Sequence, residues 1–371
     1  VTKENRYAPS ILYYAEKRIL EFFQRRENEL NRKIIASFDD YLVKKQLTLG
    51  FELSCEQKKA VELINEGYNT LFLIGYAGTG KSTSSKAILQ LLEEVVSYDD
   101  IITIALSGIA SQRISDTTGY NSATIQSLLM KHKEKDFFPY KVILLDEASM
   151  VNSVTFYQIV SKIDDDTVFI IVGDDGQLPA IGAGNILADS IKYNLAPTCK
   201  LTKIYRQNEN QAIAVIANDI RKGEVPKYDE DYEDFKFVNV SISNYYSQKN
   251  SNSSNEFADI RVENSEYILN NILNISATYI QNYFDLIKEK KINKALTLFQ
   301  VITPMKGGLL GVENLNMQLQ KLFNHTKGKA YSTKLYEYKI TDKVIHIKNE
   351  NMRSQTMTMY KNASSDFIEK R

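Results

Sequence analysis

Apolar residues follow two rhythms along this chain. From Ser10 to about Lys45, Ile11, Leu12, Tyr14, Ala15, Ile19, Leu20, Phe22 and Phe23 recur every three or four positions among many charges. That spacing predicts a helical N-terminal segment packed on the next domain. Arg25, Arg26, Glu27 and Glu29 are expected on its solvated side. Four short apolar runs follow, at 71–74, 101–106, 142–145 and 167–172. Each gives way to turn residues and then to a helix-like stretch, so strand, loop and helix repeat as in a parallel α/β sheet. A helix is predicted over 213–220. Residues 228–264 are polar, with an Asn/Ser-rich centre at 248–255, and read as a loop or insertion. Helical spacing resumes over 266–290. The run 295–302 predicts a strand ending at Thr303-Pro304-Met305, followed by Gly307, Gly308 and Gly311 and a helix over 312–323. A weakly alternating strand over 343–347 leads into a polar tail.

Composition narrows the class. At 371 residues the chain is expected to form two or three domains. It carries no apolar run long enough to span a bilayer and no charged-then-apolar leader, so a cytoplasmic location without a membrane partner is expected. Cys55 and Cys199 have neither the number nor the spacing of a disulfide framework and are expected to be reduced, buried thiols. His132, His325 and His346 stand apart, which argues against a histidine-based metal centre. Formal net charge is zero, so any nucleic-acid surface must be a local groove rather than a global field.

The chemistry begins where the first of these four apolar runs ends. Gly75-Tyr76-Ala77-Gly78-Thr79-Gly80-Lys81-Ser82-Thr83 follows a predicted strand and opens a helix ending near Leu92, the layout of a phosphate cradle. Glycines let successive backbone N–H groups curl round one anion. The Lys81 ammonium can reach the β/γ-phosphates of ATP, and the Ser82 hydroxyl can complete a Mg2+ shell. Asp146 and Glu147 end the 142–145 run. There Asp146 can hold Mg2+ through its water shell, and Glu147 can orient and deprotonate an attacking water. Gln177 follows the next run within Gly173-Asp174-Asp175-Gly176-Gln177-Leu178-Pro179, where an amide can sense the γ-phosphate. Arg206, in Tyr205-Arg206-Gln207, can stabilise phosphoryl charge across a cleft. Gln57 admits two readings, because its spacing from Ser54 closes a capping box while its amide could also read adenine.

Taken together and in this order, these motifs resemble the superfamily 1 DNA helicases of the RecD-like branch. The resemblance implies an α/β P-loop NTPase with a RecA-like parallel sheet, a helical N-terminal segment at 1–50, a first motor domain at 51–205, a partial second RecA-like domain at 206–340 and a β-rich insertion or tail at 341–371. It implies ATP with Mg2+ and movement, 5′ to 3′, along single-stranded DNA in recombination or repair, within a possible larger complex. It also implies DNA contacts at Ser107, Gly108, Thr124, Gln126, Thr303 and Pro304. Gln126 stands where relatives more often carry histidine. The late motor motifs have no counterpart, so the second motor domain is expected to be incomplete, with weak ATP binding and poor unwinding. Two other functions compete: a nucleotide-dependent DNA-binding module without turnover of its own, and a small-molecule kinase, which the Gly173–Pro179 and Tyr-Arg-Gln motifs do not support.

Overall fold

The computed structural model describes residues 8–27, 30, 33–49, 52–76, 78–203, 212–227, 235–238, 254–325, 331–332, 337–339 and 342. The chain divides into two compact units, Val1–Phe237 and Val238–Arg371.

The first unit is built on a six-stranded sheet ordered β3-β2-β4-β5-β1-β6, parallel at every pairing. Its strands are β1 (Thr70–Gly75), β2 (Ile101–Ala105), β3 (Ser122–Thr124), β4 (Val142–Leu145), β5 (Val168–Gly173) and β6 (Thr198–Leu201). The helices are α1 (Ser10–Arg26), α2 (Phe38–Leu49), α3 (Cys55–Asn65), α4 (Lys81–Leu92), α5 (Gly108–Thr118), α6 (Ile125–Lys131), α7 (Ser153–Val160), α8 (Ile186–Lys192) and α9 (Ala212–Lys222). This is the expected RecA-like P-loop architecture. Both faces of the sheet are buried, which is why its central strands read as continuous apolar runs rather than alternating ones. Along β1, Phe72 and Ile74 face a cluster with Ile19, Phe22 and Phe23 of α1 and Phe156 of α7. Leu71 and Leu73 face Val61, Ile64, Ile88 and Leu91 of α3 and α4.

The N-terminal helical segment is broken into α1 and α2 rather than continuous, and α1 is an integral layer of the first core. Arg26 corrects the expectation of a solvated charge, since it is 4% exposed. Its Nε donates to Thr70 Oγ1 at 2.8 Å, and its Nη atoms donate to the carbonyls of Asp164, Asp165, Asn69 and Thr167. A guanidinium with five donors suits this task because a carbonyl oxygen has two lone pairs: those of Asn69 and Asp164 already accept the Phe169 and Thr167 N–H groups and take a second bond from Arg26. Arg26→Met should therefore destabilise the first unit by roughly 2–4 kcal/mol, since it removes at once the charge-assisted bonds that tie α1 to the starts of β1 and β5. Urea unfolding would measure this, and a loss below about 1 kcal/mol would contradict the pinning role. The thiols also differ from expectation: Cys199 is buried, but Cys55, in the first turn of α3, is exposed.

In the second unit the described residues form helices Ser254–Ala277, Ile280–Lys288, Ile292–Thr297 and Val312–Phe323, with one two-stranded antiparallel ladder, Tyr331–Ser332 on Glu337–Tyr338. The strand expected over 295–302 is instead a helix through Thr297 followed by irregular chain. Ala295 is buried within the helix, and Phe299 just beyond it stacks on Tyr279 and Phe323, with centroids at 5.4 and 4.9 Å, so these apolar residues pack against neighbouring helices rather than into a sheet. The helical stretch expected over 266–290 starts earlier, at Ser254, and breaks near Thr278. It thereby takes in the end of the predicted polar loop. The rest of that loop, apart from residues 235–238, lies outside the described residues, as does the strand expected over 343–347. No helix among the described residues is long and apolar enough to cross a membrane.

Candidate functional site

The carboxyl ends of parallel strands share one edge of the sheet, and here the order makes β4, β5 and β1 consecutive neighbours. Ile74 lies opposite Gly173 and Leu145 opposite Ile171. The phosphate loop, Asp174 and Asp146 thus leave adjacent strands at nearly the same level.

Close approach shapes the loop itself. A Cβ on Gly75 would collide with Thr79 Oγ1, which donates to the Tyr76 carbonyl at 2.8 Å. Gly78 and Gly80 have φ of 84° and 85°, a region open to glycine at little cost. Gly80 is the N-cap of α4 and supplies no side chain, so the first N–H groups of that helix face the loop with the positive end of its dipole. Lys81 Nζ donates to the carbonyls of Gly75 at 2.6 Å and Tyr76 at 3.0 Å. Burial pushes its pKa below the ordinary lysine value, while the charges of Asp174, Glu147 and Asp146 oppose that shift. Burial, and then the charge of Glu147, lifts the Asp146 carboxyl above the usual aspartate value, against a hydrogen bond from the Glu147 N–H at 2.9 Å. Glu147 sits at φ 52°, ψ 42°, a left-handed conformation uncommon outside glycine. Ser149 Oγ donates to Gln177 Oε1 at 3.2 Å, which ties the segment carrying the two acids to the turn after β5.

The residues present fit a magnesium-bound nucleoside triphosphate. The loop offers a curled backbone and an open helix N-terminus to phosphate, and Ser82 and Asp146 offer hard oxygen donors. Among the described residues no group of three or more His, Cys, Asp or Glu could hold a metal alone.

Gln57 realises one of its two readings: its Oε1 accepts the Ser54 N–H at 2.9 Å and Ser54 Oγ accepts the Gln57 N–H, a complete capping box. Its neighbour Glu56, not anticipated from the sequence, accepts from the N–H and hydroxyl of Thr202 and from the Lys203 N–H, at the exit of β6. Although burial opposes its charge, those bonds hold its carboxyl below the usual glutamate value. Arg206, with Tyr205 and Gln207, and Ala77 lie outside the described residues.

The sequence of residues 52–241 matches the AAA domain family. The chain belongs to that family. This AAA-domain chain is also 28% identical over 299 residues to an ATP-dependent RecD2 DNA helicase of Deinococcus radiodurans, covering 79% of the chain and 35% of that protein. It is 24% identical over 373 residues to the RecBCD enzyme subunit RecD of Buchnera aphidicola, covering 84% and 58%. The resemblance to the RecD-like branch of superfamily 1 is borne out. A crystal structure of Pif1 helicase from Candida albicans is 23% identical, covers 47% of this chain and 45% of that one, and superposes with a TM-score of 0.36. The chain spans about a third of the length of the first curated relatives it matches. P-loop membership implies nucleotide use.

Of the residues expected at DNA, four lie in the first unit of the AAA-domain chain. Ser107 caps α5 by accepting the Ala110 N–H, and Gly108 opens that helix with Ile109 75% exposed beside it. Thr124 caps α6 by accepting the Ser127 N–H, and Gln126 is exposed. β2 and β3 are neighbours, so the Ser107 and Thr124 positions follow adjacent strand ends on the phosphate-loop edge. Thr303 and Pro304 belong to the second unit, where Thr303 Oγ1 donates to the Leu310 carbonyl at 2.7 Å.

Proposed function

We propose that the chain is the ATP-hydrolysing motor part of a DNA helicase of the RecD-like branch, moving 5′ to 3′ on single-stranded DNA. The observation that carries this reading is the adjacency of β1, β5 and β4, whose ends bear Lys81, Asp174 with Gln177, and Asp146 with Glu147. Residues 75–83 would cradle the phosphates, with Ser82 and Asp146 holding Mg2+, which would supply charge neutralisation at the phosphoryl oxygens. Lys81 would orient the β/γ-phosphates. Glu147 would orient the attacking water and accept its proton. Through Ser149, Gln177 would report the state of the site to the turn after β5, and Arg206 would approach from its own segment. Gln57 would use what remains of its amide for adenine. Ser107, Gly108, Thr124 and Gln126 would follow the DNA strand beside the nucleotide, and Thr303 and Pro304 would do so from a second RecA-like domain. A larger recombination or repair complex is the setting in which such a motor would act.

ATP turnover measured with and without single-stranded DNA tests the proposal, with stimulation of about tenfold or more expected for a DNA-coupled motor. Nucleotide-gated DNA binding without turnover would favour the binding-module alternative. Turnover dependent on a small acceptor and indifferent to DNA would overturn the motor reading.

A further inference from the structure

Arg221, in the last turn of α9, meets two segments of the site from outside every motif described above. Its Nη2 donates to Asp174 Oδ1 at 2.7 Å and to Asp175 Oδ1 at 2.8 Å. Its guanidinium carbon lies 3.5 Å from the centroid of the Tyr76 ring in the phosphate loop. Lys200 completes the cluster by donating to Asp175 Oδ2 at 2.8 Å. A Cβ on Gly176 would collide with the guanidinium, so the turn is wrapped directly against it. That turn starts at Asp174, whose Oδ1 also accepts the Gly176 N–H at 3.0 Å and whose carbonyl accepts the Gln177 N–H at 3.3 Å. Asp174 is thus held from one side by Arg221 and organises Gln177 on the other.

An ordinary surface ion pair would carry little weight. This one differs because the Asp174 side chain is only 6% exposed and would be a buried carboxylate without its partner. The stacked ring adds a second attachment that a point charge would not make.

We propose that Arg221 is a positioning residue of the nucleotide site: its guanidinium clamps the Asp174–Gln177 turn to Tyr76 of the phosphate loop, setting where Gln177 stands relative to Lys81. The inference rests on the reading of this edge as a nucleotide site. It also assigns α9 a place in the first unit, although the sequence suggests that a second domain begins at 206.

The test compares Arg221→Ala and Arg221→Lys in the whole chain by amide hydrogen exchange without nucleotide, by binding of fluorescent mant-ATP with Mg2+, and by thermal melting. In Arg221→Ala, exchange across 173–184 should rise about tenfold and mant-ATP affinity should fall about tenfold, one charge-assisted contact's worth. Exchange in β2 and β4 should be unchanged. Lysine should recover part of both effects, because it keeps the charge and loses the planar stack. Unchanged exchange across 173–184 overturns the inference, and so does an equal loosening of every strand. If the wild-type chain binds no mant-ATP while 173–184 still loosens, the clamp stands and the nucleotide reading falls.

Discussion

Lys81→Ala is expected to abolish measurable ATP turnover while leaving the fold intact. The Lys81 ammonium stands at the mouth of the phosphate loop, bonded to two of its carbonyls. It shares its electrostatic surroundings with Asp146, Glu147 and Asp174. Without it, those carboxylates face the triphosphate with no cation of the loop between them. One ion contact at about 4 Å and an effective dielectric near 20 is worth about 4 kcal/mol. If that contact tightens as charge shifts on the phosphoryl oxygens, its loss corresponds to about a thousandfold in rate. Steady-state hydrolysis and mant-ATP binding would be measured together, with a melting curve as the control for folding. Turnover near that of the wild type would remove Lys81 from the site.

A different signature is expected of Glu147→Gln, which should keep nucleotide affinity within about twofold while turnover falls roughly 10²- to 10⁴-fold, the contribution typical of a general base. The substitution preserves size and shape but removes the ability to accept a proton. Its neighbour Asp146 keeps its carboxylate, so the Mg2+ contact proposed for it would be spared. The left-handed backbone at Glu147 sharpens this expectation, because such a conformation costs on the order of 1 kcal/mol and persists only where the surroundings impose it. Here the N–H of Glu147 is engaged by Asp146 and its carbonyl accepts the Met150 N–H at 3.1 Å, which fixes the start of the side chain. Pre-steady-state hydrolysis separates the two outcomes: loss of binding without loss of chemistry would make Glu147 a ligand rather than a base.

Much of this arrangement was readable from sequence because its parts are local. A strand, its terminal loop and the following helix are contiguous, so β1 with the phosphate loop and β4 with Asp146 and Glu147 could each be found from apolar runs and the residues that end them. Helix 312–323 was legible for the same reason, with its glycine-rich approach and amphipathic spacing. Elsewhere, short apolar runs misled. Residues 295–302 satisfy either period over so few positions, and they divide between the end of a helix at Thr297 and irregular chain held by the stack of Phe299 with Tyr279 and Phe323. β3 (Ser-Ala-Thr) and β6, whose Thr198 and Lys200 are exposed, do not read as apolar runs; they pair with β2 and β1 at the two edges of the sheet.

By itself, the order of residues determined which groups stand at the strand ends: a lysine and a serine after a glycine-rich turn, two acids after one strand and an amide after another. Their shared edge was decided only by tertiary structure, since the sheet order β3-β2-β4-β5-β1-β6 follows from which buried faces pack together. The same is true of the two arginines. Arg26 meets Thr70 across 44 residues of chain and Arg221 meets Asp174 across 47, so nothing near either in sequence distinguishes it from a solvated charge. A charge becomes structural when folding removes water from around it and leaves specific oxygens in its place, and those oxygens come from distant parts of the chain.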